Sequence, residues 1–200
     1  MTDVSRLIPH LADPVGLTRE LIDIESVSGN EKPIADSVYA AVEHISDTGV
    51  ELELLRDGDT IVARTHQNLG QRIVIAGHLD TVPIENNVPS TQSDDTIYGR
   101  GACDMKSGVA MQLCVAAALR QPAYDVTWVF YDHEEVDASL NGLGRVARNH
   151  PEWLLGDFAI LGEPSNAGIE GGCNGTIRVE VRAQGCLLYT SDAADDSLRV

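Results

Sequence analysis

The sequence predicts an α/β layered fold with a largely parallel central sheet, and three observations carry that reading. Segments of β character alternate with segments of helical periodicity. Two β-type runs, 72–76 and 126–131, are apolar almost throughout, as strands buried on both faces are. The 200 residues, 43% of them hydrophobic, suffice for one well-buried core, because a chain of this size hides roughly 70% of the surface it exposes when unfolded.

The elements follow in order. Val15, Leu17, Leu21, Ile22 and Ile24 recur at helical spacing behind Asp13 and Pro14, where Asp caps and Pro fits the first turn, and they predict a first helix. Residues 31–45 predict a second, with Ile34, Val38, Ala41, Val42 and Ile45 on one stripe and Gly49 close behind. Short β-type runs occupy 50–55, 61–64 and 72–76. The stretch 105–119, rich in Ala, Met, Leu and Val and free of Pro, reads as a buried helix. A strand at 126–131, a helix at 141–148 and a strand at Phe158–Leu161 complete the alternation. Residues 175–183 alternate strictly, the pattern of a half-exposed strand, and open a second, antiparallel domain.

Lys and Arg total 14 against 31 Asp and Glu, a net charge of -17, which argues against nucleic acid because phosphate binding needs a basic face. Residues 1–23 combine no basic region with an uninterrupted apolar run, and no segment approaches the roughly 18 apolar residues of a membrane span. Neither export nor membrane partners are expected. Cys103, Cys114, Cys173 and Cys186 form no CxxC pair, which fits a reducing cytoplasm, with Cys103 and Cys114 expected to be buried, inert thiols.

Four motifs follow predicted strands, where open α/β sheets place their ligands. In AGHLDTVP (76–83), His78 can ligate a metal through one ring nitrogen while Asp80 holds the other N–H; taken alone, His78 reads better as a hydrogen-bonded loop histidine. YGRGACDMKSG (98–108) is glycine-rich and sets Asp104 near a helix start, either as an N-cap or as a carboxylate bridging two cations. FYDHEEVD (130–137) places a run of ionisable residues after an apolar strand, unremarkable by itself as a solvated loop. ILGEPS (160–165) ends another apolar strand in Glu163. Together these form a mixed N/O donor set suited to Zn²⁺, or to Co²⁺ or Mn²⁺ if supplied. A carboxylate-bridged metal pair about 3.5–4 Å apart polarises a carbonyl and lowers the pKa of a bridging water. A carboxylate free of metal is then needed as general base, and Glu134 and Glu135 can divide those roles.

In order and spacing, GHLDTVP, GRGACDMKSG, YDHEEVD and LGEPS resemble the metal-site motifs of the aminoacylase, glutamate carboxypeptidase and desuccinylase superfamily of di-zinc hydrolases, over about residues 15–185. The resemblance implies a three-layer zinc-exopeptidase-like catalytic domain over 1–174, with 175–185 the first strand of a truncated dimerisation domain. It implies His78 and Glu163 on one zinc, Asp104 bridging, Glu135 on the other, Asp80 orienting His78, and Glu134 as general base and acid. It also implies a cis peptide bond between Asp104 and Met105. LIDIESVSGNEKPIAD, NGLGR and GGCNGTIRV are most similar to the actinobacterial-type succinyl-diaminopimelate desuccinylase branch. That likeness implies hydrolysis of N-succinyl-LL-2,6-diaminopimelate to succinate and LL-2,6-diaminopimelate, an N-acyl amino acid as small-molecule partner, and a homodimer for the complete protein. Related acetylornithine deacetylases and dipeptidases share the same metal residues. A non-catalytic relative is the competing reading from another class, and the intact Glu134 argues against it.

The family's second zinc takes a histidine near the C-terminus of a longer chain. Past Gly185 the resemblance stops: residues 186–200 (CLLYTSDAADDSLRV) match no part of the family, and 186–195 can be encoded by a transposon-end adapter. Residues 186–200 are therefore expected to be a sequencing-adapter artefact outside the fold, and the fragment is expected to bind one zinc at best with little turnover. His10, His44, His66 and His150 are assigned to surface or packing, His133 to the side opposite Glu134, and Trp128 and Trp153 to packing. Lys106 and Arg100 are left between loop hydrogen bonds and contact with an anionic substrate.

Overall fold

The computed structural model describes residues 4–172. The chain divides into two units, Met1–Ala167 and Gly168–Val200; the described part of the second, 168–172, holds no helix or strand. The strand read at 175–183 and the segment 186–200 lie outside the described residues.

Local chemistry starts the first unit as expected. Asp13 Oδ1 accepts the amides of Val15 and Gly16 at 3.1 Å each, satisfying two of the donors a helix start leaves open, and α1 (Pro14–Ile22) begins on Pro14. Helix α2 (Lys32–Thr48) buries the predicted stripe of Ile34, Val38, Ala41, Val42 and Ile45. The strands are β1 (Glu53–Asp57), β2 (Thr60–Arg64), β3 (Arg72–His78), β4 (Thr91–Ser93), β5 (Thr96–Tyr98), β6 (Asp125–Tyr131) and β7 (Phe158–Leu161), with α3 (Lys106–Ala118) and α4 (Gly142–Asn149) between them. The short β4–β5 hairpin was not anticipated: its residues carry too little apolar alternation to mark a strand.

The central sheet runs β1-β2-β6-β3-β7. Strand β3 is parallel to both β6 and β7, whereas β1 and β2 pair antiparallel with each other and β2 with β6. The sheet is thus mixed, parallel from β6 through β3 to β7 and antiparallel from β6 through β2 to β1. The tight connection between β1 and β2, in which Gly58 takes φ +63°, makes that pair antiparallel, since a turn this short admits only an antiparallel partner.

The period of two in the strands divides the core. Ile61, Ala63, Val126, Trp128 and Phe130 face Leu17, Leu21, Ile34, Val38, Val42, Val109 and Leu113 of α1, α2 and α3. On the other face, Val62, Val74, Ala76, Val129 and Tyr131 pack with Val146 of α4. These are the three layers the resemblance implied. Among the described residues no helix is long and apolar enough to cross a membrane.

Two expectations are corrected. Helix α3 is buried on one side only: Met111 and Val115 are 55% and 45% exposed, since a helix apolar all round carries no mark of which side faces in. Cys103 is an exposed free thiol and Cys114 a half-buried one; Cys103 lies in the glycine-rich turn ahead of α3, outside the packed part of the helix.

At the start of β6, the buried Asp125 ties down the chain leaving β2, accepting hydrogen bonds from Thr65 Oγ1 at 2.8 Å, Gln67 N at 2.8 Å and Leu69 N at 3.0 Å. Burial by itself would raise its carboxyl, but these hydrogen bonds and the nearby Arg72 hold it below the usual carboxylate range. With the folded pKa below the unfolded one, its stabilisation is present above about pH 4 and lost as pH falls through the folded value. Asp125→Asn is expected to cost about 1.5–3 kcal/mol at neutral pH and to flatten the acid limb of the stability curve. Denaturant unfolding of both proteins at pH 7 and pH 3 measures this, and equal losses at the two pH values would refute it.

Candidate metal centre

Because β6, β3 and β7 run parallel side by side, the residues at their C-terminal ends converge. His78 is the last residue of β3, the loop 132–135 follows β6, and Glu163 follows β7. Asp104 arrives from the glycine-rich turn before α3. Its carboxylate Oδ1 lies 3.0 Å from His78 Nε2, and Glu163 Oε2 lies 3.9 Å from the same nitrogen. Donor atoms of His78, Asp104 and Glu135 all lie within 4.8 Å of one another. The capping alternative for Asp104 does not hold, because Met105 occupies the cap position of α3 and no side chain caps that helix. The Asp104-Met105 peptide bond is cis.

Asp80 is fully buried and divides its two ends. Its backbone oxygen meets His78 Nδ1 at 2.9 Å, while its carboxylate oxygen stands 3.5 Å from the same nitrogen. The carboxylate is engaged with other donors: Ser28 Oγ at 2.6 Å, Glu134 N at 2.9 Å and Glu135 N at 3.1 Å. The expected orientation of His78 by Asp80 therefore runs chiefly through the main chain, and the carboxylate anchors the backbone of both glutamates.

Ser28 went unnoticed in the sequence. It is carried by a segment pairing with the strand end, with Thr81 N to Ser26 O at 2.9 Å and Ser28 N to Thr81 O at 3.1 Å. No spacing in the sequence signals a contact with a residue 52 positions away. Also unforeseen is the network behind the glutamate loop. Arg145 forks onto Asp132 at 2.6 and 3.2 Å and reaches Asp57 at 3.1 Å, and Thr60 hydrogen-bonds to the same Asp132. His133, at φ +59°, turns its ring to Asp132 at 2.7 Å and to the buried Glu31 at 3.3 Å. Its ring is thus engaged with this network.

Electrostatically the cluster is short of positive charge. Burial would lower the His78 imidazole, yet hydrogen bonds to Asp80 and Asp104 and the charge of Glu163 raise it to about 9. Burial would raise Asp80, yet His78, Ser28 and the two amides bring it down to about 2. Glu135 and Glu163 are both pushed up, first by burial and then by repulsion from Asp104 and other carboxylates, against the pull of His78. A donor set of one imidazole and several crowded carboxylates fits a divalent cation, which would relieve the repulsion that raises these groups.

Lys106 is withdrawn as a candidate for substrate contact. It is buried, and its Nζ donates to Ile24 O at 2.7 Å; burial brings it down to about 7 despite Asp23 and Glu25. Arg100 lines a cleft with Val82, Cys103, Asp104 and Glu135.

Residues 74–193 match the family described as Peptidase family M20/M25/M40. The chain is 49% identical over 179 residues to a Mycobacterium tuberculosis protein named as a succinyl-diaminopimelate desuccinylase, DapE, covering 90% of this chain and 50% of that one. It is 46% identical over 184 residues to the succinyl-diaminopimelate desuccinylase of Corynebacterium glutamicum, covering 90% and 49%. The chain thus spans about half the length of these relatives. Among solved structures, its fold is similar to that of an M20 family metallo-carboxypeptidase from Sulfolobus solfataricus, with a TM-score of 0.59 at 20% identity over 74% of this chain and 37% of that one. With the family pattern matched over more than half of its residues, the chain belongs to peptidase family M20/M25/M40.

Proposed function

We propose that the complete protein is a metal-dependent amide hydrolase that cleaves N-succinyl-LL-2,6-diaminopimelate to succinate and LL-2,6-diaminopimelate, working in the cytoplasm as a homodimer. The observation that carries the chemistry is the convergence of His78, Asp104 and Glu135 within 4.8 Å, with the Glu134 backbone held by the same Asp80 that orients His78. The substrate rests on the desuccinylase names of relatives 46–49% identical.

In this reading His78 and Glu163 would hold one ion and Glu135 the other, Asp104 would serve both, and a donor from beyond this chain would complete the second position. The ions are Zn²⁺, with Co²⁺ or Mn²⁺ as substitutes. When bound, such a pair polarises the scissile carbonyl and makes water more acidic. Glu134 takes the proton of the attacking water and returns it to the leaving amine. Hydrogen bonds from Glu134 N and Glu135 N to Asp80 fix the backbone from which both side chains extend.

Two variants of the complete protein test the assignment. Glu134→Gln is expected to lower turnover by about 10²–10⁴-fold with metal content unchanged, read by succinate release and elemental analysis; loss of metal in step with activity would make Glu134 a ligand instead. His78→Ala is expected to lose bound metal, and full retention would remove it from the ligand set. Assays beside N-acetylornithine and dipeptides fix the substrate: faster hydrolysis of either would reassign the acyl group while leaving the metal chemistry in place.

A further inference from the structure

The space between α3 and the ends of β3 and β7 is shaped by one thioether and three glycines. Met105 is fully buried, and its Sδ accepts the backbone N–H of His78 at 3.3 Å. Its terminal methyl occupies room that side chains at Gly77, Gly108 and Gly162 would need. A Cβ added at these positions would lie 2.5, 2.9 and 3.0 Å from Met105 Cε, well inside the roughly 3.5–4.0 Å of an ordinary carbon contact. Gln112 borders the same space: its Nε2 would stand 2.5 Å from a Cβ at Gly77 and 3.1 Å from one at Gly162.

Each glycine adjoins a metal-facing segment. Gly77 precedes His78, Gly162 precedes Glu163, and Gly108 lies in the first turn of the helix that follows Asp104. Met105, at the start of α3, therefore lies beside the ends of β3 and β7, which are also hydrogen-bonded to each other through Gly162 N and Ala76 O at 2.9 Å. A flexible thioether suits the task, since it fills an irregular gap and its sulfur still accepts a weak hydrogen bond.

We infer that Met105 is a positioning residue: by filling the glycine-lined space it sets the spacing of His78, Asp104 and Glu163, so that the donors are in place before an ion binds. This rests on the ligand assignment proposed above. Supporting groups behind metal ligands commonly change affinity by about 10–100-fold when removed, and a loss in that range is expected for Met105→Ala.

The test is Zn²⁺ titration of the metal-free complete protein by calorimetry, together with the visible spectrum of the Co²⁺ form and circular dichroism to verify folding. Met105→Ala and Gly162→Ala are each expected to weaken Zn²⁺ binding and alter the Co²⁺ spectrum, the first by emptying the space and the second by crowding it. The double variant is expected to recover affinity relative to Gly162→Ala, because the added methyl then enters the vacated room. Met105→Leu, which keeps the volume without the sulfur acceptor, supplies a folded comparison should the alanine variant unfold, and it is expected to bind more weakly than the unaltered protein. Unchanged affinity in Met105→Leu and Gly162→Ala, or strictly additive effects in the double variant, would overturn the inference. His78→Ala keeps the two readings separate: if it too binds Zn²⁺ normally, the ligand assignment has failed; if it alone loses binding, only the role of Met105 has.

Discussion

Parallel hydrogen bonding of β3 on both of its sides, in the registers Ala76↔Val129 and Ala76↔Leu161, ends three strands at one level of the sheet. The side chains that follow those ends must then share a small volume, whatever their separation in sequence. His78, the 132–135 loop and Glu163 are brought together by that register. Packing of α1, α2 and α3 on one face and α4 on the other keeps the strands from sliding. A slip of one residue would exchange the side chains that face the two layers and move His78 off the level of the 132–135 loop, so the core and the site share one alignment.

On that frame the site concentrates negative charge, and the surrounding hydrogen bonds decide where each charge resides. Asp80 is the centre of this arrangement. Fully buried, it is kept ionised by Ser28 and by the amides of Glu134 and Glu135, while its main-chain oxygen engages His78. A buried carboxylate with this many donors is readily held in the charged form, and it anchors the backbone at Glu134 and Glu135. Arg145 holds the start of the same loop through Asp132.

What could be read from the sequence was local. The two-sided apolar runs marked the inner strands, Asp13 and Pro14 marked a helix start, and histidine or carboxylate residues placed after strand ends marked the candidate ligands. These signals survive folding because they depend on neighbours a few residues apart. The direction of β1 and β2, the single buried side of α3 and the β4–β5 hairpin were not legible, since none alters the local pattern of apolar and polar residues.

The sequence by itself determined that this is an α/β chain with His78, Asp104, Glu135 and Glu163 at the ends of its elements and Glu134 among them. Only the tertiary structure decided what those residues meet. Ser28 reaches Asp80 across 52 positions, Lys106 turns inward to Ile24 across 82, and Met105 joins His78 across 27. Such contacts follow from strand register and close packing of distant segments, and a linear pattern of residue types carries no record of distances set in that way.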